Sequence, residues 1–400
     1  MTSRFPHLRS ALMSQVWAMD PVWHSLMVEM IENRAEGIVI TPEQVKERAG
    51  RHSQLADGLL IAGVDVPNGM TAMFEVSSSG RIYAARGGSS RVAGDAEPGS
   101  LVAVINVMGV VAHHASQVDN ISGPGGTSTA RVGQSFDAAM DDPAVKAVVF
   151  HIDSPGGGVA GVQELADKIF AARGRKPIIA QVNSTAASAA YWIAAQADEV
   201  VVTPSGQVGS IGVYGSHRDM SAAAEKAGMK VTFFAYPPQK VDGNQFAPPS
   251  AEFSDKAMAD VKTVYGQFAS SVARGRGVKA ADVEAGFGKG GVELAGSALK
   301  LGMVDRIATM EDTLRRVSRM KVPPSGARAD AGTDALRVEA GSDEQDGADG
   351  AETPAPEDAP PAADEPPAPI EDAAANAARQ AADERDAFRR RRHAFRSRFG

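Results

Sequence analysis

Between Leu101 and Ala235, short apolar runs alternate with segments whose apolar residues recur at helical spacing, and this alternation limits the fold more than any other feature of the chain. Leu101–Val111 and Val145–Ile152 are apolar and rich in β-branched residues, as a strand buried on both faces requires. Pro177–Val182, Val200–Thr203 and Lys230–Ala235 are shorter runs of the same kind. Between them, Ala130–Met140, Val159–Arg173, Ala186–Ala197 and Met220–Ala227 carry helical spacing, and a long amphipathic helix is expected over Ser254–Arg274. Strands alternating with helices in this way predict an α/β fold with a largely parallel sheet.

The flanks have a different character. Residues 1–85 read as a partly helical module: Leu26, Met27, Met30 and Ile31 share a helical face, and Thr41-Pro42 is a helix start with Thr as N-cap. Residues 86–100, rich in Gly, Ser and charge, read as a linker into a main domain over 101–310. From Val322 to residue 370 the chain is Ala, Pro, Gly and acid with hardly any large apolar side chain, so disorder is expected. Residues 371–400, rich in Ala and Arg, are expected to form a helical tail end.

Charge follows the same division. Val338–Asp372 holds twelve acidic residues and no Lys or Arg, whereas residues 379–400 hold eight Arg against three acids. The rest of the chain is close to neutral within a total of −8, which gives no support for nucleic acid as a partner. The absence of cysteine excludes a disulfide framework, a thiolate metal site and a cysteine nucleophile. No apolar window has the length of a membrane span, and Leu12–Val28 is interrupted by Gln15, Asp20, Pro21 and His24, unlike a signal peptide. A cytoplasmic protein with no membrane association is the expectation.

Three stretches carry possible chemistry. Asp153-Ser154-Pro155-Gly156-Gly157-Gly158 follows a strand and precedes a helix; its glycines free backbone N–H groups to face a developing negative charge, or simply make a turn. Asn183–Trp192 joins a strand to a helix of small residues and places Ser188 in the first helical turn, where a helix dipole favours an oxyanion. Tyr191 and Trp192 read as core. Gln239–Asn244 contains Lys240, a general base only if desolvation keeps it neutral and otherwise a surface lysine. His151 and Asp153 share a strand face, but His151 reads as a partly buried strand histidine. His113-His114 lacks the carboxylate pattern of a metal site.

Taken together, DSPGG (153–157), AASAAYWIA (186–194), VGSIGV (208–213) and KVDGN (240–244) resemble, in order and spacing, the S49 serine peptidases, and above all their phage head-maturation branch. The resemblance implies a crotonase-like or Clp-protease-like α/β superhelix and a Ser–Lys dyad. In it Ser188 is the nucleophile and Lys240 the general base. Gly156, Gly157 and the Ala189 amide would form the oxyanion hole, and Ser210 would position the lysine. No metal or cofactor is implied. The expected substrates are capsid, scaffold or portal polypeptides within an assembling prohead in the host cytoplasm, and the expected assembly is a homo-oligomer. Met310 or Met320 would be an internal start for a separately made tail. Two departures stand out: Pro237-Pro238-Gln239 precedes the lysine, and Ala189-Ala190 follows the serine where many members carry Gly-Gly. The competing readings are an inactive assembly or scaffold protein on the same fold, an acyl-CoA enzyme of crotonase type, and a cellular signal-peptide-clearing member.

Overall fold

The computed structural model describes residues 17–19, 71–76, 82–84, 98–114 and 126–320. Its strands are β1 (Trp17–Met19), β2 (Thr71–Val76), β3 (Ile82–Ala84), β4 (Leu101–Met108), β5 (Val111–Ala112), β6 (Thr127–Ser128), β7 (Val145–Ser154), β8 (Gly156–Gly158), β9 (Ile178–Ala187), β10 (Glu199–Val202), β11 (Gln207–Gly209), β12 (Val292–Leu294) and β13 (Arg306–Ile307). Its helices are α1 (Thr129–Asp141), α2 (Val162–Ala171), α3 (Ala189–Ala194), α4 (Ser221–Lys226), α5 (Ala251–Arg276), α6 (Ala280–Gly286), α7 (Ala295–Leu301) and α8 (Met310–Arg319).

The expected α/β sheet is present. Its order is β12-β11-β9-β7-β4-β2-β3, and β4, β7 and β9 run parallel at its centre. β10 and β11 pair in parallel with successive stretches of β9, while β2, β3 and β12 are antiparallel margins. Every residue of β4 is buried, because both sheet faces are covered. One face carries Leu101, Ala103 and Ile105 into the main core with Phe136, Ile169 and Trp192 from α1, α2 and α3. The alternate residues Val102 and Val104 meet Met310, Leu314 and Val317 of α8 on the other face. A second, small sheet of order β1-β8-β5-β6 stands beside the first.

Four differences from the sequence reading matter. β9 runs through Ala187, past the expected end at Val182, because Thr185–Ala187 gain a partner in β11. The helix that follows is accordingly only Ala189–Ala194. Lys230–Ala235 is not a strand: Val231, Phe233 and Phe234 are exposed there, and no sheet neighbour among the described residues offers the packing on which strand preference depends. β2, inside the expected N-terminal module, pairs with β4, so the main sheet reaches across the expected linker. The helical readings over 26–44, most of the linker and both tail segments lie outside the described residues.

α5 explains how the lysine segment leaves the body. Ser250 caps it through the Phe253 amide, 3.0 Å away, and Gly277 ends it in the left-handed region. Only its last turns, from Phe268 onward, are buried; its first half is largely exposed, as are residues 215–250.

Candidate active site

β7 and β9 end side by side, with Ser154 opposite Ala186, and the site is built at these strand ends. The chain turns from β9 into α3 through Ser188, whose φ of 55° and ψ of −120° are strained for any residue with a Cβ. Such strain costs about 1–3 kcal/mol and persists only where surroundings enforce it. Here the Ser188 amide donates to the Gly209 carbonyl at 2.7 Å, and its carbonyl accepts from the Trp192 amide at 2.9 Å. Ala186, Ala187, Ala189 and Ala190 leave room for so sharp a strand-to-helix turn, the local solution of a nucleophile elbow. The Ser188 hydroxyl lies 3.4 Å from the Gly212 carbonyl.

Ser210 is its neighbour across the sheet, since Gly209 pairs with Ala187. Ser210 also has a positive φ, 52°, and its amide donates to the Gly291 carbonyl at 2.6 Å. Two strained serines thus end two adjacent parallel strands.

The glycine stretch supplies the opposite wall. Gly156 has φ 95°, and a Cβ there would come 2.9 Å from both the Ser188 Cβ and the Ala187 carbonyl oxygen. A Cβ on Gly157 would overlap the backbone of Val111. Of the expected oxyanion donors, Ala189 opens α3 and has no intrahelical acceptor for its amide. Gly156 adjoins Ser188, but its amide donates to the Ser154 hydroxyl at 3.1 Å. That hydroxyl in turn donates to the Gly109 carbonyl at 2.6 Å. Gly157 lies one residue farther along β8, opposite Ala18.

Burial sets the electrostatics beside the serine. The Asp153 carboxylate accepts the Thr185 amide at 3.2 Å, tying β7 to β9 three residues before Ser188. Desolvation pushes this carboxyl up to about 6, against the opposing pull of hydrogen bonds from Thr185 and Ser184. His151 is buried within the sheet, with Nδ1 3.0 Å from the Asn106 Oδ1, and burial pushes it down to about 4. It is a core histidine. His113 Nδ1 lies 3.2 Å from the Thr129 hydroxyl.

α3 is held at its far end as well. Arg173 donates to the carbonyls of Ala195, Gln196 and Ala197, where a helix C-terminus favours a cation. Trp192 stacks on Phe268 of α5 at 4.5 Å, and the Tyr191 hydroxyl donates to the Met303 carbonyl at 2.8 Å. Tyr191 and Trp192 are therefore core residues that hold the serine's helix.

Lys240 lies in different surroundings. It sits in the single helical turn Pro238–Val241 and is exposed. The turn is shaped by Asn244, whose side-chain amide donates to the Val241 carbonyl at 2.9 Å and whose Oδ1 accepts from the Phe246 amide at 2.9 Å. Among the described residues no hydrogen bond or ion pair joins Lys240 to Ser188 or Ser210. The elbow strain, the Ser154–Gly109 link and the Asp153–Thr185 tie were not legible in the sequence; small residues at both sides of Ser188 were the one available signal.

Residues 171–322 match the family model for peptidase family S49. That span begins at the end of α2 and covers Ser188, Ser210 and Lys240. Over these residues the chain is similar to peptidase family S49. The chain is 32% identical over 214 residues to the head-tail preconnector protein GP5 of Enterobacteria phage P21, which covers 53% of this chain and 42% of that protein. It is 31% identical over 256 residues to the capsid assembly protease C of Escherichia phage lambda, covering 62% and 56% respectively. The chain thus spans about half the length of these relatives. A ClpP1 mutant from Listeria monocytogenes superposes with a TM-score of 0.34 at 12% identity, covering 53% of this chain and 94% of the other. The strand registers show an α/β domain with a parallel centre whose strand ends border Ser188. No helix among the described residues is long and apolar enough to cross a membrane.

Proposed function

We propose that this protein is a serine endopeptidase in which Ser188 is the nucleophile and Lys240 the general base, and that it processes polypeptides of an assembling phage head. The observation that carries the reading is the strained elbow at Ser188, set against a glycine strand and a free helix-opening amide. The names of the two phage relatives, a capsid assembly protease and a head-tail preconnector, supply the substrate class.

In this reading neutral Lys240 takes the hydroxyl proton as Ser188 Oγ attacks a peptide carbonyl. The Ala189 amide receives the oxyanion, joined by Gly156 once its amide leaves Ser154. The tetrahedral adduct collapses, the C–N bond breaks, and Lys240 returns the proton to the leaving amine. A water then enters, gives a proton to Lys240 as its oxygen attacks the acyl carbon, the C–Oγ bond breaks, and Lys240 returns the proton to the Ser188 Oγ. Ser210, beside the nucleophile, would hold the lysine. A lysine base must be desolvated, and an exposed Lys240 acquires that state when residues 229–250 are covered. Phe234 and Tyr236, 94% and 95% exposed, support covering by further copies of the chain in a homo-oligomer.

The test is incubation of wild type with full-length Ser188→Ala and Lys240→Ala proteins, read by intact-mass spectrometry. Cleavage of both variants by wild type, with neither processing itself, is expected and gives the cut sites, including any in the tail. No cleavage by assembled protein across a broad pH range would overturn the reading.

Among the described residues the Lys240 side chain has no hydrogen bond or ion pair to either serine, which favours one second reading, an inactive assembly protein that keeps the fold. Under it, a phage carrying Ser188→Ala would assemble and mature heads normally.

A further inference from the structure

We infer that the slot beside Ser188 takes polypeptide as an added strand antiparallel to β8, and that Trp17–Met19 of the same chain is its resident occupant, an intramolecular competitor of substrate. The inference rests on the peptidase reading for the word substrate. The slot itself rests on the strand pairing.

β8 has two edges. β5 takes one, with Val111 opposite Gly157. β1 takes the other, antiparallel, with Met19 opposite Gly156, Ala18 opposite Gly157 and Trp17 opposite Gly158. Without β1 that second edge would be an open row of backbone donors and acceptors, which is a template for another strand. The outer side of β1 is held too: the Trp17 amide donates to the Tyr214 carbonyl at 2.9 Å, and the Tyr214 amide donates to the Trp17 carbonyl at 3.0 Å. Both walls belong to the candidate site. β8 opens at Gly156, against the Ser188 Cβ. Tyr214 follows the segment whose Gly212 carbonyl meets the Ser188 hydroxyl. A slot lined on both sides by main chain, and bordering a nucleophile, recognises the backbone of any extended polypeptide.

The register brings the occupant to the chemistry. Met19 lies opposite the glycine that touches Ser188, and the Ala18 carbonyl oxygen and the Ser188 Cβ approach the same methyl-sized space at Gly156. With β1 in place Ala18 and Ser188 are both 0% exposed, so no second polypeptide reaches the serine until this strand leaves. The occupant is short: its main chain pairs on both edges over three residues, and the Trp17, Ala18 and Met19 side chains are buried. An occupant of this kind lowers apparent substrate affinity by the fraction of molecules in which the slot is empty.

The test uses the full chain. Ala18→Pro removes the N–H that β1 turns toward β8, and Ala18→Glu forces a carboxylate into a closed position. Both variants are expected to raise kcat/KM on fluorescently labelled casein about tenfold or more, a gain that would mean the slot is empty in about one wild-type molecule in ten. A synthetic peptide of residues 13–23 is expected to suppress the gain competitively. Folded variants with unchanged rates would overturn the inference.

Should both variants unfold, hydrogen exchange on full-length Ser188→Ala decides it. The amides of residues 17–19 are expected to lose protection when unlabelled casein saturates the slot, and retained protection would overturn the inference. Binding of the labelled 13–23 peptide to an Ala18→Pro/Ser188→Ala double variant needs no catalysis. Binding there, with no hydrolysis by any form, upholds the slot and overturns the peptidase reading. Hydrolysis without peptide binding overturns the slot alone.

Discussion

Ser188 and Lys240 lie in opposite kinds of protein. The serine ends a strand paired on both sides, opens a helix locked by Trp192 and Arg173, and is wholly buried. The lysine sits in a single turn on an outlying segment whose largest apolar side chains, Phe234 and Tyr236, face solvent. One half of the proposed dyad is fixed by the packing of its own chain, and the other half is fixed only by its local turn. In the proposed dyad the fold would therefore strain the serine before the lysine reaches it, and the approach of the lysine would be a separable event.

The largest expected effect breaks or upholds that pairing directly. Ser188→Ala, Lys240→Ala and the double variant should each lower kcat/KM by about 10⁴-fold, and by the same amount, because groups that act as a unit are not additive. Steady-state kinetics on one labelled polypeptide would check it; a further loss in the double variant would show the two residues acting apart.

Next comes the rigidity of the serine side. Gly157→Ala drives a methyl into the Val111 backbone and should cost about 3 kcal/mol or more in urea unfolding. Gly286→Ala, with nothing within 4 Å, is the control and should cost nothing.

Asp153 sharpens the same point through pH. Its carboxyl titrates near 3.8 when unfolded and near 6 when folded. Between those values the native state keeps a proton the unfolded state has released, so stability falls as pH rises through this window, and the loss is complete above about pH 6. Asp153→Asn keeps an acceptor for the Thr185 amide and removes the burial of charge. The variant should match wild type at pH 3.5 and exceed it by up to about 3 kcal/mol at pH 7.5. His151, present in both proteins, cancels from this comparison.

The smallest stability effect belongs to the lysine side. Phe234→Ser and Tyr236→Ser should change unfolding free energy by less than about 0.5 kcal/mol, since neither side chain is buried. Sedimentation of the same proteins should show weakened self-association, and activity should fall with it.

How far the sequence could be read follows the same division. β4 and β7 were legible because continuous apolar runs have few alternatives to a strand buried on both faces. The second half of β9 was not: Asn183–Ala187 is polar and small, and becomes strand by pairing with Gln207–Gly209 of β11 and, at Ala186, with Ser154 of β7. Lys230–Ala235 misled in the other direction, with strand-like residues and no strand partner among the described residues. Ser188 and Lys240 were legible as motif positions. The positive φ of Ser188 and Ser210 was not, because backbone strain comes from tertiary enforcement and leaves little trace in residue type. Nothing in Trp17–Met19 foretold that it would lie against the glycine strand.

The last helix sets where this molecule could be divided. Met310, Leu314 and Val317 of α8 pack in one cluster with Val102, Val104, Val149 and Ile179 of the central sheet, and Lys146 reaches the Ser318 carbonyl from β7. A cut or internal start at Met310 would separate the sheet from its own lid and strand two apolar surfaces in water. A division after Met320 leaves both surfaces covered. The natural perforation between folded body and acidic tail is therefore beyond α8, and of the two candidate internal starts only Met320 lies on it.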